Sequence, residues 1–256
     1  MQDVIVVRPR KKPSATRALI CLGFCGGGVG SYLPWAEHLP ADVELAVICY
    51  PGREGRFAED FATTWDELAE DATAAVISTA PRPYVLFGHS MGGWMAFEVT
   101  ARIEQSGGPR PEALIVSSAN APSRGLTTRD MFPAQQDTDE QLLDWMRTFG
   151  LMPEHVLSDP DLQEMAVDLM RADIRVRDTF TYTDGTRISV PLQVLTGDRD
   201  QAIAPKATEQ WRALATGEYR HDELPGGHFY TPEIWRALPN YFTAIQTATP
   251  LGAGHD

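Results

Sequence analysis

Cysteine is scarce in this chain, which has three in 256 residues: Cys21, Cys25 and Cys49. The number is odd, and all three lie in or beside apolar, strand-like runs. That excludes a disulfide framework and predicts reduced, buried thiols of a cytosolic protein; their spacing fits no zinc site either. Long hydrophobic runs are missing too, so no segment reads as crossing a bilayer. Positive charge is in short supply, with 22 Lys and Arg against 35 Asp and Glu and a formal charge of −13. Such a balance argues against nucleic acid as a partner, since phosphates need a basic surface. Arg8, Arg10, Lys11 and Lys12 precede an apolar stretch at 18–25, the order found in a secretion signal. That stretch is short and runs into Gly26-Gly27-Gly28 instead of a small-residue cleavage site, so it reads as a core strand. Neither an internal repeat nor a second-domain linker is visible, which leaves one domain over residues 1–256.

What is present is alternation of strand and helix. Apolar strand patterns fall at 4–7, 18–22, 43–49, 84–87, 113–117, 190–196 and 219–223. Helical periodicity falls at 32–39, 65–79, in the stretch leading to Ser106, and at 234–247. The order predicts an α/β fold with a mostly parallel sheet and helices on both faces. Asp66, Glu67, Glu70 and Asp71 read as the solvated face of the 65–79 helix. From 118 to 189 no strand is evident, and two amphipathic segments, 139–149 and 161–180, predict a helical lid inserted over the strand ends. Its apolar residues, Trp145, Met165, Met170 and Phe180 among them, should mostly pack the lid down, with a minority lining an acyl channel. The tail at 249–256 reads as frayed.

The segment Tyr84-Val85-Leu86-Phe87-Gly88-His89-Ser90-Met91-Gly92 organises the rest. A buried strand followed at once by a helix needs a sharp reversal, and glycines two residues either side of a serine permit it. This is the pattern of a nucleophile elbow, which would lift the Ser90 hydroxyl beside the Met91 amide at a helix N-terminus.

The glycine-rich run 23–30 also follows a strand. It lacks the Gly-Lys-Ser/Thr of a phosphate loop, and for a dinucleotide site it has Ser31 at the third glycine position and no acidic residue about twenty residues on. In a serine hydrolase such a loop supplies half of the oxyanion hole; Cys25 is favoured as its backbone donor, with Gly26 as the alternative.

A serine, then an acid after a later strand, then a histidine after the last strand is the chain order of the α/β-hydrolase fold. His228, in a Gly-Gly-His-Phe loop, suits the base. His38 and His155 fall in helical or lid context, His221 inside a strand, His255 in the tail, and His89 within the elbow itself. Asp198 and Asp200 share the loop required of the acid. Asp198, nearer the strand end, reads as a turn cap, and Asp200 is chosen to orient His228.

The blocks F-C-G-G-G-V-G-S-Y-L-P-W (24–35), G-H-S-M-G-G (88–93), R-A-D (171–173), G-D-R-D (197–200) and P-G-G-H-F (225–229) together resemble the type II thioesterases. These are discrete editing hydrolases of polyketide synthase and nonribosomal peptide synthetase systems, and the resemblance spans about residues 16–245. It implies an α/β-hydrolase fold with a helical lid, and a substrate acyl group on the phosphopantetheine arm of an acyl or peptidyl carrier protein. By motif, Ser90, Asp200 and His228 take the triad roles, and the Cys25 and Met91 amides take the oxyanion role. No metal or redox cofactor is implied. A small-molecule carboxylesterase or an acyltransferase on the same triad is the alternative, and an intact Ser-Asp-His order argues against a non-catalytic carrier-binding scaffold. The family often has Phe-Pro-x-Ala-Gly-Gly in its first loop, where this chain has Leu22-Gly23-Phe24-Cys25-Gly26-Gly27. An acidic carrier would need a locally basic face; Arg124, Arg129, Arg171, Arg175 and Arg177 are the candidates, unless they pair with Asp168, Asp173 and Asp178.

Overall fold

The structure, a computed structural model, describes residues 5–79, 83–126, 138–148 and 154–246. Among the described residues, seven strands form one sheet in the order β1-β3-β2-β4-β5-β6-β7. They are β1 (Val6–Val7), β2 (Arg17–Leu22), β3 (Val43–Ile48), β4 (Tyr84–His89), β5 (Ala113–Ser117), β6 (Leu192–Gly197) and β7 (Tyr219–Leu224). Only β1 runs antiparallel, pairing Val6 with Ile48; the others are parallel.

Every residue of β3, β4, β5 and β6 is buried, as expected of parallel strands covered on both faces. Alternation along β2 divides the core in two. Ala18, Ile20 and Leu22 face helices α1 (Trp65–Thr79) and α2 (Met91–Ser106) and Trp211 of α6 (Ala207–Leu214). Leu19 and Cys21 face the other way, toward Tyr32, Trp35, Leu238 and Phe242.

The helices α3 (Asp139–Thr148), α4 (Glu154–Leu157) and α5 (Pro160–Asp178) all lie between β5 and β6. Asp159 caps α5 by accepting from the Asp161 and Leu162 amides, and Pro160 fits its first turn. Leu142, Met146, Val167, Met170 and Ile174 form their own small core. The insertion is fastened to the main body at its C-terminal end. There Phe180 packs on Trp65 and Trp94, with ring centroids 4.8 Å apart in each case, and Thr179 Oγ1 accepts from the Trp65 amide at 2.7 Å.

Several expected elements differ. The helix expected at 32–39 is a 3-10 helix, Val29–Glu37, with Pro34 inside it. Its first amides are held by a side chain: Glu54 accepts from Val29 N at 3.0 Å and Gly30 N at 3.4 Å. The strand expected at 84–87 continues to His89, because its backbone pairs with β2 and β5 up to the elbow. The long final helix at 234–247 is replaced by a short α7 (Pro232–Arg236) and two 3-10 turns, Leu238–Tyr241 and Thr243–Ile245. Pro239 explains the break, since it has no N–H to donate and its ring would strike the carbonyl of residue 235. Asp66, Glu67 and Glu70 are exposed as expected, with Asp66 pairing with Arg102 at 2.5 Å, whereas Asp71 is half-buried and holds Arg56, whose guanidinium is buried, at 2.6 Å. Val4 and the tail at 249–256 lie outside the described residues.

Candidate active site

β4 delivers its last residue, His89, to the C-terminal edge of the sheet, and the chain turns at Ser90 with φ 53° and ψ −123°. A left-handed φ at a non-glycine residue costs on the order of 1–3 kcal/mol and persists only where neighbours enforce it. Here the Ser90 amide donates to Ser117 O at 2.8 Å, and Gly93 N donates to Ser90 O at 2.9 Å. The flanking glycines are required by space. A Cβ on Gly88 would sit 1.8 Å from Gly92 O, and one on Gly92 would sit 2.6 Å from Gly23 O.

His228 and Asp200 come from the loops after β7 and β6. His228 Nδ1 lies 2.9 Å from Asp200 Oδ2, and the carboxylate is almost fully buried while the imidazole keeps some exposure. Asp200 Oδ1 accepts from the Ala202 amide at 2.9 Å. Burial works to raise the Asp200 carboxyl. The His228 hydrogen bond and charge, the Ala202 amide and the Ser118 hydroxyl outweigh it, so the group is held below its ordinary value and stays ionised. Asp198 instead accepts from the Gly226 amide at 2.7 Å and meets Arg199 at the surface, so it braces the loop that carries His228. His221 is engaged by Thr196 Oγ1 at 2.8 Å. His255 and the side chain of His155 lie outside the described residues.

Ser90, Asp200 and His228 open onto one cavity of about 690 Å³, whose walls also include Cys25 and Met91. Among the described residues, neither the Cys25 nor the Met91 amide finds an acceptor within the protein. The Gly26 amide, the alternative donor, is already committed to Asp173 Oδ2 at 2.8 Å. The Cys25 thiol is pushed up by burial and then by Asp173, so it keeps its proton. The helical insertion supplies Trp145, Thr148, Met170 and Arg177 to the cavity wall. Of its other apolar residues, Phe180 belongs to the main core, Met165 is exposed, and Phe149 lies outside the described residues.

Groups that the sequence did not single out surround these residues. A hydrogen-bonded chain runs from Tyr230 OH to Ser117 Oγ at 2.7 Å and on to His89 Nδ1 at 3.0 Å. His89 is fully buried against Phe229 and Trp235, and its ring centre lies 5.0 Å from that of His228. Burial first, and His228 second, hold its imidazole well below the ordinary range, so it is neutral. Arg53 and Glu54, in the loop after β3, both hold the glycine-rich loop, and Asp173 of α5 joins them. The R-A-D block was a visible signal, but nothing in the sequence said that its aspartate meets Arg53. Of the basic candidates, Arg124 is half-buried, Arg171 pairs with Asp139 at 2.7 Å, Arg177 is largely buried and pairs with Asp178, Arg175 is exposed, and Arg129 lies outside the described residues.

A seven-stranded, mostly parallel sheet with a serine on a strained strand-to-helix turn, and a carboxylate-bound histidine lining the same cavity, defines an α/β-hydrolase. The thioesterase domain family matches residues 17–247, and the chain belongs to that family: it is a thioester hydrolase of the type II kind. It is 32% identical over 232 residues to the thioesterase PikA5 of Streptomyces venezuelae, covering 89% of this chain and 80% of that one. The structure of the type II thioesterase BorB from the borrelidin biosynthetic cluster superposes with a TM-score of 0.83 at 34% identity, covering 96% and 99% of the two chains. The AMB antimetabolite synthetase AmbE of Pseudomonas aeruginosa is 35% identical over 210 residues, which are 82% of this chain but 10% of that synthetase.

Proposed function

We propose that this thioesterase releases acyl groups from the phosphopantetheine arm of acyl or peptidyl carrier proteins, and so clears aberrant or stalled units from polyketide or nonribosomal peptide assembly. Ser90 Oγ attacks the thioester carbonyl as His228 Nε2 takes its proton, and Asp200 steadies the resulting imidazolium. The Cys25 and Met91 amides receive the oxyanion at the tetrahedral stage. The pantetheine thiol leaves with the proton from His228. Water then gives a proton to His228 and attacks the acyl-serine, which returns Ser90 and the free acid.

The observation that carries this reading is the hydrogen-bonded Asp200–His228 pair in the same cavity as Ser90. The comparisons support the assembly-line setting. A cavity walled by Trp145 and Met170 suits an acyl chain, and its opening suits a pantetheine arm. The chemistry calls for no metal or redox cofactor of the enzyme's own, because the carrier brings the phosphopantetheine. The free cysteines fit a cytoplasmic setting, and no helix among the described residues is long and apolar enough to cross a membrane.

A hydrolysis panel tests the reading, with acyl-carrier proteins, acyl-pantetheine mimics and simple esters compared over chains from acetyl to long. Carrier thioesters should be cleaved with the highest kcat/KM, and Ser90→Ala should lose both turnover and labelling by a fluorophosphonate. Faster cleavage of simple esters than of any carrier thioester would instead make the protein a carboxylesterase.

A further inference from the structure

The α5 helix is joined to the oxyanion loop by a buried ion pair that touches the loop's own backbone. Asp173 and Arg53 are each under a tenth exposed, and they face each other through two hydrogen bonds, Nη1–Oδ2 at 2.9 Å and Nη2–Oδ1 at 2.5 Å. Each partner also reaches the glycine-rich loop. Asp173 Oδ2 accepts from Gly26 N at 2.8 Å, and Arg53 Nη1 donates to Gly27 O at 3.1 Å. On the loop's near side, Met170, one turn before Asp173, fills the space where a Gly26 side chain would stand and meets the Cys25 thiol at 3.5 Å.

We propose that Asp173 and Arg53 are positioning residues for the oxyanion hole. Seated on the loop, they fix the peptide between Cys25 and Gly26 so that the preceding amide, that of Cys25, faces the reacting carbonyl. The peptide is planar and trans, so an N–H of Gly26 turned toward Asp173 sends the Cys25 carbonyl the opposite way. The Gly27 carbonyl is pinned one residue further on, and the segment that carries the Cys25 amide has little freedom left. Charge is arranged to suit the reaction. A bare carboxylate this close to a developing oxyanion would oppose it, and the paired guanidinium cancels that field. The seating of α5 and the geometry of the hole are therefore one structural event, and the catalytic loop is complete only with the insertion in place.

The inference rests on the serine mechanism proposed above, and its test is built to fail separately from it. Two variants are compared with the wild type: Asp173→Asn, which keeps the shape, and the double variant Arg53→Met/Asp173→Leu, which removes the clamp without leaving a lone buried charge. Each is assayed on an acyl-pantetheine thioester and on a p-nitrophenyl acyl ester, so the hole is read even if the natural substrate is not a carrier thioester. Affinities are measured for two analogues: an acyl trifluoromethyl ketone, which adds Ser90 and places an oxyanion in the hole, and a thioether with no carbonyl. Displacing an oxyanion donor costs on the order of 10²-fold in kcat, so the double variant should lose about that much with KM nearly unchanged. Its affinity for the ketone should fall in parallel and its affinity for the thioether should hold. Asp173→Asn, which still offers Gly26 an acceptor, should fall between. Wild-type kcat and ketone affinity in the folded double variant, or equal weakening of both analogues, overturns the proposal. Should the double variant fail to fold, Asp173→Asn alone decides by the same ratio of ketone to thioether affinity.

Discussion

Replacing Asp200 by Asn should nearly abolish turnover, and the structure says why in atomic terms. Each oxygen of the Asp200 carboxylate has a nitrogen partner: Oδ1 accepts from the Ala202 amide at 2.9 Å, and Oδ2 faces His228 Nδ1 at 2.9 Å. An asparagine in this place must keep its oxygen toward the Ala202 N–H, which can only donate. Its NH2 then faces His228 Nδ1 and also donates, so Nδ1 must accept and the imidazole proton moves to Nε2. The ring then has no lone pair for the Ser90 proton. A wrong tautomer of this kind costs about 10⁴ in kcat, or roughly 5.4 kcal/mol in the barrier. Flipping the amide would restore the tautomer but would set two N–H groups against each other in a site where the carboxylate is almost fully buried. Asp198→Asn is the control: its Oδ1 can still accept from Gly226 N, and the side chain is half exposed, so turnover should change little. The assay is kcat on an acyl-pantetheine thioester, with folding checked by thermal melting. A loss from Asp198→Asn that matched or exceeded the loss from Asp200→Asn, in folded proteins, would refute the assignment.

Two further outcomes follow from local packing and charge. Gly88→Ala should destabilise by several kcal/mol, because its Cβ would enter the Gly92 carbonyl, whereas Gly30→Ala, with open space around it, should stay within about 0.5 kcal/mol; chemical denaturation reads both. Stability should fall as pH drops below about 6.5, because the unfolded chain protonates His89 there while the buried neutral ring does not, and this contributes a slope of up to about 1.4 kcal/mol per unit. His89→Asn should flatten that part of the curve measured by denaturation between pH 5 and 7, and an unchanged slope would show that another group carries it.

Much of this protein was determined by local sequence. The elbow was legible because backbone reversal imposes a residue-by-residue demand: small residues at 88 and 92, an apolar strand before, a helix after. The parallel sheet was legible because strands buried on both faces must be apolar throughout. The choice of Asp200 over Asp198 came from position alone, and the hydrogen bonds of both residues explain it. Local pattern also misled where one residue outweighed a periodic signal, as Pro239 did in breaking the expected final helix. Contacts between distant segments were decided only by the tertiary structure. Arg53 and Asp173 stand 120 positions apart, and Ser117 and Tyr230 stand 113 apart. An arginine in a loop or an aspartate on a helix carries the same local signal whether it meets water or a buried partner. The same holds for Arg171, whose partner Asp139 stands 32 positions away and is brought to it by how the insertion folds, whereas Arg177 pairs with the adjacent Asp178, as the sequence allowed. Burial creates the electrostatic stakes, and burial is a property of the assembled chain.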